Sequence, residues 1–401
     1  MNGEVQRFVD RAMEHLQHLT VTIGPRPSTR EGEREAARYA AQVLKAAGVQ
    51  NVREEVFVSG RETYWPYALA IGVGFIGNLL YLVRPRRGRG LLAALLNGLG
   101  AWAFYAEANF DDHWGRRVLP KGVSQNVIGV IPPRGEMRRR VVLVSHLDTH
   151  RTPVFYNSPL LLRLFSTLVG AAFVSLLFSA GVAFLRGVAW FPGARWVLRL
   201  ATAFQAFALS LSLQAQTTPH TPGANDNGSG VATVLALAER LVAEPLEHTE
   251  VWIVLTGCEE VGAYGIDAFL KAHGHELRDA NFINVDMVGV GMPALLTREG
   301  LVRSYHPHPE LLRIALEVAA EHPDWNAGAH EGGAYTDMGV IVKHGYKGLV
   351  IDSIVPPEHP AAPYMGYWHQ QRDTFSNVER ACLEKVHRFT WELLKRLDAA
   401  A

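Results

Sequence analysis

Cysteine is nearly absent from this 401-residue chain, which has only Cys258 and Cys382. Two cannot make the disulfide framework that staples small secreted domains, and a chain of this length can close an apolar core unaided. Charge is scarce as well. Charged residues make up 19%, below the roughly 25% of ordinary globular chains, and 39 basic side chains balance 39 acidic ones. With no basic excess, no nucleic-acid partner is expected. The first residues, MNGEVQRFVDRAMEHLQHLT, lack an apolar stretch followed by a small-residue cleavage site, so no cleaved signal peptide is expected. Internal repeats and low-complexity tracts are missing too.

The missing charge is concentrated in a few places. Residues 64–83, YWPYALAIGVGFIGNLLYLV, form an uncharged run that, at about 1.5 Å per helical residue, reaches across a hydrocarbon core of about 30 Å. Residues 91–106 are uncharged but shorter, and a second pair follows at 164–185 and 197–214, the last requiring Arg199 to snorkel. Helices of a soluble core normally keep a polar stripe, and these do not. Two transmembrane hairpins are therefore expected, with RPRRGRG (Arg84–Gly90) as the tight turn of the first. The shorter partners leave re-entrant or interfacial placement open. Tyr64, Trp65, Tyr105, Trp190 and Trp196 stand at the ends of the runs, as interfacial anchors do.

Without the two inserts the chain alternates helices and strands. Ser28 and Glu31 predict a capping box for a helix to Ala47, and apolar strands are expected at 125–131, 141–146, 251–256, 282–288 and 348–353. Helices are expected at 229–243 and 308–321, with a terminal one from Ser376 to Leu397. Continuous apolar strands of this kind indicate an α/β fold: a central, mostly parallel mixed sheet flanked by helices.

Polar residues cluster where these strands end, the usual address of a site on such a sheet. SHLDTH places His146 after a strand, with Asp148 two residues on to orient its imidazole. PGANDNGSG surrounds Asp226 with small residues that admit close approach of an ion. GCEEVG sets Glu259 beside Glu260, and adjacent carboxylates at the end of a buried strand are costly unless a cation compensates. Asp286 falls in NVDMVG and His369 in WHQQRDTF, while His330, His344 and His359 are rivals to His369 on sequence alone. Together His146, Asp226, Glu260, Asp286 and His369 supply two imidazoles and three carboxylates, the donor set of a two-metal hydrolytic site rather than of a cysteine-rich structural zinc.

At these residues the chain resembles the dizinc aminopeptidases of peptidase clan MH, a family that includes aminopeptidase Y, bacterial leucyl aminopeptidases and glutaminyl cyclase. The order HLD, GANDNGSG, CEEVG, VDM, HxxxDT matches the family pattern across Val141–Phe375, the second insert excepted. The resemblance implies a zinc-exopeptidase-like fold and two zinc ions. His146 and Asp286 would hold one, Glu260 and His369 the other, and Asp226 would bridge them. It further implies Glu259 as general base, Asp148 as the partner of His146, and the RDT spacing that singles out His369. TDMGV has Met338 where the family often has histidine, a departure that touches the substrate pocket.

The expected organisation is a catalytic domain in three pieces, 1–63, 107–152 and 216–401, interrupted by a hairpin at 64–106 and an insert at 153–215. The expected protein is a multi-pass metallo-exopeptidase of the cell membrane that acts on peptides and contacts membrane lipid. Alternatives are a glutaminyl-cyclase-like enzyme and an inactive receptor or scaffold with a peptidase fold. A transporter fits less well, because the spans carry almost no intramembrane acids or histidines. Arginines in both hairpin turns favour those turns in the cytoplasm and the catalytic domain outside. The second insert leaves and rejoins the chain beside two motif loops, so the site is expected to open near the bilayer surface.

Overall fold

The computed structural model describes residues 2–188 and 193–401. Its strands are β1 (Gln50–Gly60), β2 (Lys121–Ile131), β3 (Arg139–His146), β4 (Thr249–Thr256), β5 (Asn281–Val285), β6 (Met292–Arg298), β7 (Gly328–Glu331) and β8 (Lys347–Ile354). The helices begin with α1 (Asn2–Gln17), α2 (Glu31–Ala47), α3 (Tyr64–Val83), α4 (Arg87–Ala108), α5 (Trp114–Val118), α6 (Pro159–Arg163), α7 (Phe165–Val188) and α8 (Ala194–Gln216). They continue with α9 (Gly230–Ala243), α10 (Tyr264–His273), α11 (Pro309–Glu321), α12 (Asp337–Lys343) and α13 (Arg380–Ala399).

The strands join into one sheet in the order β1-β2-β4-β3-β5-β8-β6-β7. Its centre, β4-β3-β5-β8, is parallel, while β1, β2 and the β8–β6 pairing are antiparallel. Side chains alternate across the sheet. Val141 and Leu143 of β3 join α1, α2, α9, α11 and α13 in one core, while Val142 and Val144 meet α10 and α12 on the opposite face. Both faces are thus covered, as the apolar strand runs predicted, around a parallel centre in a mixed sheet.

The sequence misses strands β1, β6 and β7. β1 lies on the sheet edge with Val56 and Val58 exposed, and after the charged Arg53, Glu54 and Glu55 its apolar stretch, Val56 to Val58, is too short to betray it. The expected capping box fails: Ser28 turns its hydroxyl to Asp148 (2.6 Å), and α2 begins at Glu31 without a side-chain cap. The terminal helix starts at Arg380 rather than Ser376. Strand β5 stops at Val285, so Asp286 follows the strand instead of lying within it.

Four helices, α3, α4, α7 and α8, are long and apolar enough to cross a membrane. The two shorter apolar runs belong to full-length helices of 22 and 23 residues. Only Arg84–Arg86 forms the turn between α3 and α4, and Arg87 and Arg89 already belong to α4. Helix α3 packs on α4 and α8, α4 on α7, and α7 on α8, which closes a ring of four. Small residues permit these contacts: a Cβ at Gly100 would collide with the Ala70 carbonyl. Trp65, Tyr105 and Trp196 are exposed at helix ends, but Tyr64 is buried against the catalytic domain, and Trp190 lies outside the described residues.

Candidate metal centre

Parallel strands β4, β3 and β5 end side by side, and each delivers a site residue at its carboxyl end. His146 is the last residue of β3, Glu259 and Glu260 follow β4, and Asp286 follows β5. Asp226 arrives on the loop leading into α9 and His369 on the loop before α13, both buried. The His146 Nε2 lies 3.2 Å from Asp226 Oδ1 and 3.6 Å from Asp286 Oδ1. The His369 Nε2 lies 3.0 Å from Asp226 Oδ2 and 3.3 Å from Glu260 Oε2. Asp226 therefore turns one oxygen to each imidazole, and each imidazole has a further carboxylate of its own.

Asp148 organises the near side. Its Oδ1 lies 3.5 Å from His146 Nδ1 and accepts the Glu259 backbone N–H at 3.0 Å, while Oδ2 accepts the Glu260 N–H at 3.2 Å. One carboxylate thus orients an imidazole and the backbone of two glutamates. Asp373, within the RDT segment, does the same for the bridge: it accepts the backbone N–H groups of Asn225 (2.5 Å) and Asp226 (3.0 Å).

The electrostatics call for a cation. Burial pushes the Glu259 carboxyl well above its ordinary value, with Glu260, Asp337 and Asp286 adding repulsion against the pull of His146. Burial likewise raises Glu260 to about 7 despite His369. Asp226 goes the other way: burial opposes ionisation, but the two imidazoles hold it below the usual carboxylate range. Burial alone would lower His146, yet Asp286, Asp148 and Asp226 raise it well above its ordinary value. Four buried carboxylates (Asp226, Glu259, Glu260, Asp286) face two imidazoles, and Glu260 Oε1 is buried without a hydrogen-bond partner. Hard oxygen and imidazole donors with excess negative charge fit zinc.

Several contributors escape sequence reasoning. Arg26, fully buried, donates to the carbonyls of Leu147, Leu19, Gly24, Pro222 and Gly223, all within 3.2 Å. It stitches the loop after His146 to the loop carrying Asp226. His150 closes SHLDTH. Its ring stacks on His369 (centroids 3.6 Å apart, 15° between planes), and its Nε2 lies 3.2 Å from the Tyr64 hydroxyl. His369 Nδ1 has no hydrogen-bond partner, so this stack and the edge of Tyr156 (4.5 Å) set its orientation. Thr63, at the start of α3, donates to the Glu260 carbonyl at 2.7 Å, tying the first hairpin to the site. No local spacing announces these contacts, the Thr63–Glu260 bond alone joining residues 197 positions apart.

The rival histidines go elsewhere: His330 to Asp352 (2.7 Å), His344 to Asp267 (3.0 Å), His359 to Glu379 (2.8 Å). Met338 is fully buried against Leu296 and Val350, so the departure in TDMGV faces the core.

A mixed α/β sheet thus carries this cluster at the carboxyl ends of its parallel strands, in a fold of the zinc-exopeptidase type. Residues 212–394 match the family described as Peptidase family M28, which bears out the resemblance read from the motif order. The match includes Asp226, Glu259, Glu260, Asp286 and His369. The vacuolar membrane protease of Clavispora lusitaniae is 28% identical over 174 residues. That alignment covers 43% of this chain but only 16% of the relative, so the matched part spans about a sixth of that protein's length. Among solved structures, a Zn-dependent exopeptidase from Parabacteroides distasonis superposes with TM-score 0.56 and 15% identity, covering 96% of this chain and 97% of that one. The zinc aminopeptidase BSAP from Bacillus subtilis gives 0.55 at 13% identity, with 98% and 95% covered. A glutaminyl cyclase from Tannerella forsythia gives 0.54 at 16%, with 96% and 98% covered. These likenesses are of fold.

Proposed function

We propose that the chain is a membrane-anchored dizinc metallopeptidase that removes N-terminal residues from peptides. The observation that carries this reading is the divided Asp226 carboxylate, each oxygen facing a different imidazole. His146 and Asp286 would hold one zinc, His369 and Glu260 the other, with Asp226 between them. Zinc bound there supplies Lewis acidity, bringing a water towards deprotonation near pH 7 and polarising the scissile carbonyl.

The chain's own residues do the rest. Glu259, buried beside the ligands but making no ion pair with either imidazole, takes the proton of the attacking water and returns it to the departing amine. Asp148 keeps the His146 Nδ1 side engaged so that Nε2 faces the centre, and it fixes the Glu259 backbone. The glutaminyl cyclase likeness keeps a cyclase reading in play, but a five-ligand set around a divided carboxylate favours two metals and hydrolysis.

The four apolar helices anchor the protein in a membrane. The arginines at the α3–α4 turn, together with Arg186 and Arg195, favour the turns in the cytoplasm and the catalytic domain outside. Protease protection in oriented vesicles reads the side: a catalytic domain digested only after lysis of inside-out vesicles supports it. For the reaction, the test is Glu259→Gln in detergent-purified protein. About two zincs per chain should remain while aminoacyl-amide hydrolysis falls ~10²–10⁴-fold. Full turnover at unchanged zinc content would falsify the assignment. One zinc per chain with turnover of a glutaminyl peptide would favour the cyclase.

A further inference from the structure

A cavity of about 470 Å³ begins at the metal centre, where His146, Asp226, Glu259, Glu260, Asp286 and His369 line it, and extends between the membrane-type helices. Its far wall is apolar and comes from all four of them: Ile71 of α3, Phe104 of α4, Val169 and Ala172 of α7, Ala208 and Leu211 of α8. The volume lies in the range of about 300–1,000 Å³ typical of sites that enclose a drug-sized ligand, more than one amino-acid side chain requires. Two alanines, Ala172 and Ala208, stand on this wall where larger residues would fill the space. Apart from Arg163, the lining contributed by α3, α4, α6, α7 and α8 carries no charge, while the acids and histidines of the same chamber lie on the catalytic side. An apolar chamber with one polar end at the reacting atoms selects an amphiphile.

We infer that the substrate is an amphiphilic peptide whose bulky apolar N-terminal group lies between α3, α4, α7 and α8 while its first amide reaches the metal centre. The inference rests on the aminopeptidase reading above and adds the substrate class. Two sources share this chemistry: a water-soluble peptide with a large apolar first residue, and a peptide resident in the bilayer that contacts the same helices.

The test uses the zinc-loaded full chain in lipid nanodiscs and a series of amides with alanyl, leucyl, phenylalanyl and 2-aminodecanoyl groups. kcat/KM should rise along the series, by ~100-fold or more from first to last, since a methylene in an apolar pocket discriminates by about 10-fold or more. Ala172→Trp, which fills the chamber, should reduce the 2-aminodecanoyl-to-alanyl ratio at least tenfold, and Leu211→Ala, which enlarges it, should raise that ratio. Calorimetric titration gives a readout apart from turnover: decylamine should bind more tightly than methylamine, and Ala172→Trp should abolish the difference. Hydrolysis of every amide at similar kcat/KM, with a ratio indifferent to both variants, overturns the chamber assignment and leaves the peptidase reading intact. Conversely, absence of hydrolysis alongside variant-sensitive decylamine binding sinks the peptidase reading and keeps the chamber. A rate that follows mole fraction in the disc assigns the bilayer as the source, and one that follows bulk concentration assigns the aqueous phase. Either is consistent with occupancy of the chamber.

Discussion

The sheet domain and the four-helix ring use the same apolar residues in opposite ways. In β3, β4 and β5 nearly every side chain is buried, and the groups that need water or a counter-ion collect at the strand ends. In the helices the larger residues turn outward: Phe178 is 56% exposed, Leu200 74% and Val83 74%. Beside the buried Ile71, Phe104 and Leu176, the interior of the ring holds amides. Asn78 bonds Gln205 (3.1 Å) and Ser179 (3.3 Å), Asn97 bonds Asn78 (2.9 Å), and Gln205 bonds Asn97 in return (3.1 Å). This inside-out distribution is what lipid, rather than water, stabilises. Both regions bury polar groups, but by different devices. The sheet domain gathers unbalanced charge that a cation must neutralise, while the ring uses neutral amides that satisfy one another.

Four perturbations sharpen or break that contrast. The largest effect should come from Glu259→Gln, which removes the proposed proton carrier and leaves the helices untouched: turnover falls ~10²–10⁴-fold while detergent melting of the helices stays put. Arg26→Ala leaves five buried or half-buried carbonyls without their shared donor and should cost ~3–5 kcal/mol of catalytic-domain stability, with zinc lost as well. Chemical denaturation followed by zinc release reads both together. Asn97→Leu should cost ~1–2 kcal/mol in the ring, because Asn78 and Gln205 lose partners, yet leave zinc content at the wild-type value. If zinc were lost too, the two regions would not be separable as described.

The effect that is smallest at neutral pH concerns acid stability. His387 of α13 is buried with neither ring nitrogen hydrogen-bonded, and burial together with Arg240 and Arg388 lowers it to about 3. The unfolded chain, with an ordinary imidazole, binds more protons than the native one between about pH 6.5 and 3, so stability falls as pH drops through that window. The slope from this residue is at most about 1.4 kcal/mol per pH unit. His387→Phe should flatten the acid limb of the stability profile by that amount. An unchanged limb would show that the ring is not neutral in the fold.

Much of the site was legible because its chemistry is conspicuous locally. Acids directly after apolar strands, such as Glu259 and Glu260, have no cheap structural explanation, and Asp226 lies among small residues that mark close approach. Choosing His369 over His330 or His359 was different. Local spacing treats the histidines alike, and the choice rested on the RDT segment and the resemblance it carries. Asp373 of that segment proves to hold the backbone of Asp226. The roles of Arg26, His150 and Thr63 were illegible, since a guanidinium serving five distant carbonyls leaves no local pattern. Edge strand β1 was missed because an alternating, half-exposed segment looks like a loop when its partner strand lies 70 residues away.

Local composition alone determined that the chain would hold apolar strands buried on both faces, four long apolar helical runs and five separate metal-type donors, because periodicity and charge are written residue by residue. Only the tertiary structure decided that the helices close on the end of the sheet that carries the candidate metal ligands and share a chamber with it. That depends on how loops such as Thr63 to Glu260 and Arg26 to Gly223 are bonded across the fold, and the free energy of such contacts belongs to neither segment by itself.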